Sequence, residues 1–227
     1  MSRPGAKTGG YDMSESMYAA VLHAPADLRY ERVPVPVCRE GEVLVRVRAA
    51  GVCGSDIGRV MVTGTYRFPT IPGHEFCGEV AAAGSGVTGF QPGDRVAVAP
   101  ILPCGKCAYC EAGDYGLCDD YNYLGSRTDG GFAEYVAAPA RNLIRLPDNL
   151  SFEEGAMIEP AAVTLHGMMR VGIRSGDTVA VLGCGPIGLF AVQFAKIMGA
   201  TRVIAADVEP EKLELAARLG ADMCIDA

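Results

Sequence analysis

The chain has 227 residues, 49% of them hydrophobic and 21% charged, with a formal net charge of −7. That balance excludes a disordered polymer, which could not bury enough apolar surface to offset its chain entropy. The acidic excess, with no strongly basic segment, argues against a nucleic-acid partner, and the length fits one large domain or two modest ones.

Residues Met1 to Tyr18 carry no apolar core, so no secretory signal is read there, and 1–16 are expected to form a disordered tail. Short apolar strands cut by Gly and Pro follow. Glu42–Ala50 alternates, with Val43, Val45 and Val47 on one side and Arg46 and Arg48 on the other, the pattern of a half-buried strand. Phe76–Ala83, Arg95–Ala99, Phe132–Ala137 and Asn142–Leu146 read similarly, separated by turn clusters such as Pro92-Gly93-Asp94 and Asp129-Gly130-Gly131. Such spacing predicts a β-rich, barrel-like domain over 17–170. The period changes after Leu150. Ser151-x-x-Glu154 reads as a capping box, and Pro160 suits a helix start before Ala161–Arg170. Thr178–Leu182, Ile187–Met198, Arg202–Ala206, Pro210–Leu219 and Met223–Ile225 then alternate strand and helix. This predicts the first βαβαβ half of a doubly wound parallel α/β sheet over 171–227. The charge-free run Thr178–Ala195 is interrupted by Gly183, Gly185, Pro186 and Gly188, which argues for a soluble turn over a membrane span. The expected location is cytoplasmic, with no membrane partner.

Three constellations carry chemistry. Four of nine cysteines fall in Cys104-x2-Cys107-x2-Cys110-x7-Cys118, a spacing that lets one loop surround a tetrahedral ion. Zinc in a closed, structural site suits four thiolates, and an iron–sulfur cluster is the lesser alternative. Next, Gly183-x-Gly185-x-x-Gly188 follows a strand and opens a helix, as a dinucleotide loop requires. Pro186 and Ile187 fill its turn. Asp207, nineteen residues beyond Gly188, stands where a carboxylate holds ribose hydroxyls and repels a 2′-phosphate, favouring NAD over NADP; Lys212 in the following helix joins the candidate cofactor residues. The third set is dispersed: Cys53 in Gly51-Val-Cys-Gly-Ser-Asp56, Gly73-His74-Glu75, and Glu159-Pro160. A sulfur, an imidazole and one or two carboxylates make a mixed zinc site able to leave a position open for substrate.

At these residues the chain resembles the zinc-containing medium-chain dehydrogenase/reductase family, from about Tyr18 onward. The resemblance implies a GroES-like β domain with a catalytic zinc at Cys53, His74, Glu75 and Glu159. It also implies a structural zinc at the four-cysteine lobe, a Rossmann domain for the nicotinamide cofactor, and homodimeric or homotetrameric assembly. Which of Glu75 and Glu159 ligates is left open. Leu102-Pro-Cys104, Tyr123–Tyr135 and Ile158–His166 are similar to the galactitol-1-phosphate 5-dehydrogenase group, while sorbitol, threonine and butanediol dehydrogenases share much of the framework. One departure stands out: many polyol dehydrogenases have His five residues after the zinc cysteine, where this chain has Gly58.

The implied activity is zinc-assisted oxidation of a small-molecule alcohol or polyol phosphate, with hydride passing to NAD. Ser55 is the candidate for passing the proton outward. Arg59 and Arg127 are the candidates for reading a substrate phosphate, because a planar guanidinium binds phosphate oxygens in pairs. Because the pattern supplies only half of a doubly wound sheet, a zinc-stabilised binding fragment is a second function class, and Cys53 with the cysteine lobe offers a third, a redox-sensing thiol protein.

Overall fold

The computed structural model describes residues 16–227. The tail expected over 1–16 therefore lies outside the described residues, apart from Ser16, which opens the first strand. The chain divides into two compact units, the first ending at Ile158 and the second running from Glu159 to Ala227.

The first unit begins with an antiparallel hairpin, β1 (Ser16–Ala24) and β2 (Asp27–Pro34), which the strand pattern above does not single out. β3 (Glu42–Gly51) leads into a one-turn helix, α1 (Gly54–Gly58), prolonged by a wider helical turn over Arg59–Thr63. β4 (Glu75–Ala83), β5 (Arg95–Val98) and the short β6 (Ile101–Leu102) follow. A lobe containing α2 (Ala108–Glu111) separates β6 from its partner β7 (Asn122–Tyr123). β8 (Tyr135–Pro139), β9 (Leu143–Arg145) and α3 (Phe152–Ala156) complete the unit. The main sheet is antiparallel in the order β8-β3-β4-β5-β9.

β3 is more enclosed than its alternation predicts. Val43 and Val45 enter one core with Phe76, Val96 and Val136, whereas Leu44, on the opposite face, packs with Met17, Ala19 and Val21 of the hairpin. The hairpin covers that face, so both sides of the strand's first half are buried. The strand expected from Phe132 starts at Tyr135, because residues 130–132 lie along 71–73 instead. Gly130, Gly131 and Phe132 give their amides to the carbonyls of Ile71, Gly73 and Pro72 at 2.8, 2.7 and 3.0 Å. The capping box is present in α3: Ser151 Oγ accepts from the Glu154 amide at 3.1 Å, and the Glu154 carboxylate accepts from the Ser151 amide at 2.7 Å.

The second unit holds nearly all of α4 (Ile158–Val171), then β10 (Thr178–Leu182), α5 (Pro186–Ile197), β11 (Arg202–Asp207), α6 (Pro210–Arg218) and β12 (Met223–Asp226). The three strands are parallel in the order β10-β11-β12. The sequence places the boundary at 170/171, whereas the contacts divide the chain at 158/159. The physical reason is Met168 of α4, which packs into a core with Val181, Val192 and Val203. α4 also begins before the expected Pro160, which sits in its first turn, where no amide donor is needed. Among the described residues, no helix is long and apolar enough to cross a membrane.

Asp222 ties this unit together from the loop before β12: its Oδ2 accepts from Lys196 Nζ at 2.5 Å and from the Val203 amide at 2.6 Å. The Lys196 contact, aided by the amide, holds its carboxyl below the usual range. A carboxylate with a depressed folded-state pKa adds stability above its unfolded value of about 3.9, and that stability is lost as pH falls through the folded value. Asp222→Asn is therefore expected to lower the urea midpoint at neutral pH, and the gap from wild type should close toward about pH 2. A gap independent of pH would show that the carboxylate's charge contributes nothing.

Candidate functional site

The strand register builds the first centre. At the end of β3, Gly51 is paired with Glu75, the first residue of β4. The chain leaving β3 at Cys53 and the chain entering β4 at His74 therefore flank the same point. The ligating atoms of Cys53, His74 and Glu75 all lie within 4.8 Å of one another, with His74 buried and the other two half-buried. Zinc bonds of 2.0–2.3 Å to N, O and S place tetrahedral neighbours about 3.5 Å apart, so the donor set and its spacing fit one such ion. Gly51 is required here. A Cβ at residue 51 would run into the Glu75 carboxylate, so only glycine lets that side chain fold over the strand end toward the cluster.

Asp56, absent from the sequence-based set, organises this centre. It is 1% exposed. Its Oδ2 accepts from the Cys53 amide at 3.1 Å, while Oδ1 lies 2.9 Å from Arg59 NH1 and 3.4 Å from His74 Nδ1. With Nδ1 turned to a carboxylate, Nε2 is the ring nitrogen left for a metal, the usual arrangement for a ligating histidine. The signal was present in Cys53-x-x-Asp56: a residue three past a helix N-cap can return its side chain to the cap amide. The Tyr123 ring closes the other side of His74, with centroids 5.7 Å apart. Ser55 is exposed on α1. Glu159 lies in the first turn of α4, within the second unit.

Cys104, Cys107, Cys110 and Cys118 converge likewise, with all four sulfurs within 4.8 Å of one another. Cys104 and Cys110 Sγ are 3.9 Å apart, close to the spacing around one tetrahedral ion. Amides aim at the sulfurs, as Cys104 N does at Cys118 Sγ (3.3 Å). The amides of Asp119 and Cys110 pull the Cys107 thiol down to about 6, while burial pushes Cys110 up to about 12. A bound cation reverses the cost of such crowding, because thiolates, not thiols, are its ligands.

In the second unit, Gly183 turns the chain out of β10, donating its amide to Ala206 O at 2.8 Å. Gly185 caps α5, with Pro186 at its first position, and Ile187 follows, half exposed. A Cβ at Gly188 would strike the Gly183 carbonyl, so this glycine permits the close approach of α5 to the loop leaving β10. Asp207 accepts from the Cys184 amide at 2.6 Å and from the Glu209 amide at 2.9 Å. These amides, first that of Cys184, hold its carboxyl below the usual range. Lys212 Nζ stands 4.0 Å away. Each carboxylate oxygen retains accepting capacity for a hydroxyl ligand. Gly183, Gly185, Pro186, Ile187 and Gly188 also border a cavity of about 670 Å³.

The two arginines part company. Arg59 is paired with Asp56 beside the first centre. Arg127 stacks between Tyr66 and Tyr121, 4.4 and 4.3 Å from the ring centroids. With Tyr66, Tyr121, Lys106 and Asp120 it lines a separate cavity of about 570 Å³ that also touches Cys104.

Comparison with known proteins agrees with this architecture. Residues 39–148 match the family described as alcohol dehydrogenase GroES-like domain, and residues 186–227 match the zinc-binding dehydrogenase family. The chain is 42% identical over 224 residues to sorbitol dehydrogenase of Bacillus subtilis (strain 168), covering 95% of this chain and 63% of that protein. It is 42% identical over 191 residues to galactitol 1-phosphate 5-dehydrogenase of Escherichia coli (strain K12), covering 84% of this chain and 55% of that protein. The crystal structure of galactitol-1-phosphate dehydrogenase from Escherichia coli superposes with a TM-score of 0.87 at 39% identity, covering 93% of this chain and 61% of that one. The chain thus belongs to the zinc-containing medium-chain dehydrogenase/reductase family. It spans less than two thirds of the length of these relatives.

Gly51→Ala tests the first centre with little disturbance elsewhere, because the group displaced is the tip of the Glu75 side chain. The variant should keep its far-UV spectrum and the metal of the four-cysteine lobe, while metal at the Cys53 centre falls in a chelator challenge read by elemental analysis. Full retention would remove Glu75 from the donor set.

Proposed function

We propose that the protein is a zinc-dependent, NAD-linked dehydrogenase of secondary alcohols, with a polyol or polyol phosphate as substrate. The observation that carries this reading is the convergence of Cys53, His74 and Glu75 at the β3–β4 strand ends. These three side chains would hold the catalytic zinc, and Cys104, Cys107, Cys110 and Cys118 the structural one. Zinc supplies a Lewis acid that lowers the pKa of a substrate hydroxyl. NAD supplies the hydride acceptor. Asp56 orients the His74 ring so that Nε2 faces the centre, and Ser55, exposed on α1, takes the hydroxyl proton onward to solvent. In the second unit, the amides at the start of α5 face the cofactor pyrophosphate. Asp207 binds the ribose hydroxyls and disfavours a 2′-phosphate, with Lys212 beside it. Asp207→Ala should therefore raise the KM for NAD and narrow the preference for NAD over NADP at least tenfold in kcat/KM. An unchanged ratio would take the ribose from Asp207.

For the substrate, a phosphorylated polyol of the galactitol 1-phosphate type is favoured. Of the two candidate arginines, Arg127 fits a phosphate reader better: it borders an open cavity with Lys106, and its guanidinium is held in one plane by two tyrosine rings. A free polyol of the sorbitol type is the second reading, supported by equal identity over more of the chain. The protein purified from its native source should reduce NAD with galactitol 1-phosphate, lose that activity to a chelator and regain it with zinc. Its kcat/KM should exceed that for galactitol at least tenfold, and Arg127→Ala should abolish the difference. Equal efficiency on both alcohols would sink the phosphate reading, and no zinc-dependent NAD reduction with any polyol would sink the enzyme reading.

A further inference from the structure

The side chain that joins two of the three donors is itself held by one cation. Asp56 Oδ2 is fixed by the Cys53 amide at 3.1 Å. Its Oδ1 must face His74 Nδ1, 3.4 Å away, and on that oxygen Arg59 NH1 sits at 2.9 Å. Arg59 follows α1 directly and is three residues past Asp56, so the same helical run that caps Cys53 delivers the guanidinium. The pair is sheltered, with side-chain exposures of 21% for Arg59 and 1% for Asp56. A carboxylate buried this deeply is costly without a bonded cation. A neutral, metal-ligating imidazole cannot serve as that cation.

We infer that Arg59 is a positioning residue for the Cys53–His74–Glu75 centre, acting through Asp56. It fixes the rotation of the Asp56 carboxylate, so that one oxygen holds the Cys53 backbone and the other aims the His74 ring. This rests on the proposed metal centre and replaces the substrate-reading role that the sequence alone offers for Arg59. The geometry separates the two roles, because a guanidinium engaged on Oδ1 organises the centre whether or not substrate is present.

The test is a cobalt titration of the full protein with no substrate or NAD, following the d–d band of the Cys53 centre, with Cys53→Ser identifying which absorbance belongs to it. Loss of a bonded partner behind a metal ligand typically weakens metal binding 10–100-fold. Arg59→Ala should weaken cobalt binding at this centre about tenfold and alter its band. Arg59→Lys should recover part of the affinity, and the four-cysteine lobe should keep its metal in both. Arg59→Gln, which retains an uncharged donor on a shorter side chain, supplies the comparison if the alanine variant folds poorly, and should lie between alanine and wild type. Unchanged cobalt affinity and band in Arg59→Ala or Arg59→Gln would overturn the inference, and a selective rise in KM for a phosphorylated polyol would return Arg59 to the substrate. If wild type and Cys53→Ser bind cobalt alike, the metal centre itself is at fault, and the inference falls with it.

Discussion

The antiparallel pairing of Gly51 with Glu75 is the constraint on which the first unit's chemistry depends. β3 and β4 are held in register by buried valines and Phe76, and a slip of one residue would turn each side chain to the opposite face. The core therefore specifies more than stability: it decides that the residues just outside the two strands meet. Cys53 lies two residues beyond its strand and His74 one residue before the other, so the sheet brings a sulfur and an imidazole together across 21 positions of sequence. The segment 130–132, bonded along 71–73, fixes the approach of His74 from the other side. A site made at strand ends by register is held more rigidly than one carried on a free loop.

The second unit solves a different problem with the same economy of backbone. Its glycine loop passes close to its own helix, and Gly188 against the Gly183 carbonyl leaves no room for a side chain. The Asp207 carboxylate takes amides from Cys184 and Glu209. It thus stiffens the glycine loop from the neighbouring strand and is itself presented at the strand's end. One residue sets both the loop's shape and the charge beside it.

Much of this was legible in sequence because its signals are local. The four cysteines lie within fifteen positions, the glycine loop within six, and the capping box within four; β10 runs over the expected Thr178–Leu182, and α5 is displaced by one residue. What escaped was tertiary. The burial of Leu44 under the hairpin has no local mark, because the alternation of β3 reports one face and not what lies over the other. The late start of β8 arises from hydrogen bonds to 71–73, and the earlier unit boundary from Met168 packing into the second core. Asp56 was missed for a subtler reason: its capping role appears only once Cys53 is known to start a helix.

Cysteine usage separates the remaining readings on physical grounds. Among the described residues there is no disulfide. Outside the two clusters, Cys77 donates to the Phe152 carbonyl at 2.8 Å, and burial pushes its thiol up to about 11. Cys38 and Cys184 are also raised, in each case first by burial. A redox sensor needs an accessible thiolate of low pKa, and these three have the opposite environment. Cys107, which is held low, sits among three other sulfurs, where its thiolate would serve a cation. Gly58 ends α1, two residues past Asp56. Open space surrounds the position of a Cβ there, so packing does not forbid a histidine relay. The exposed Ser55 on the same short helix places a hydroxyl next to solvent.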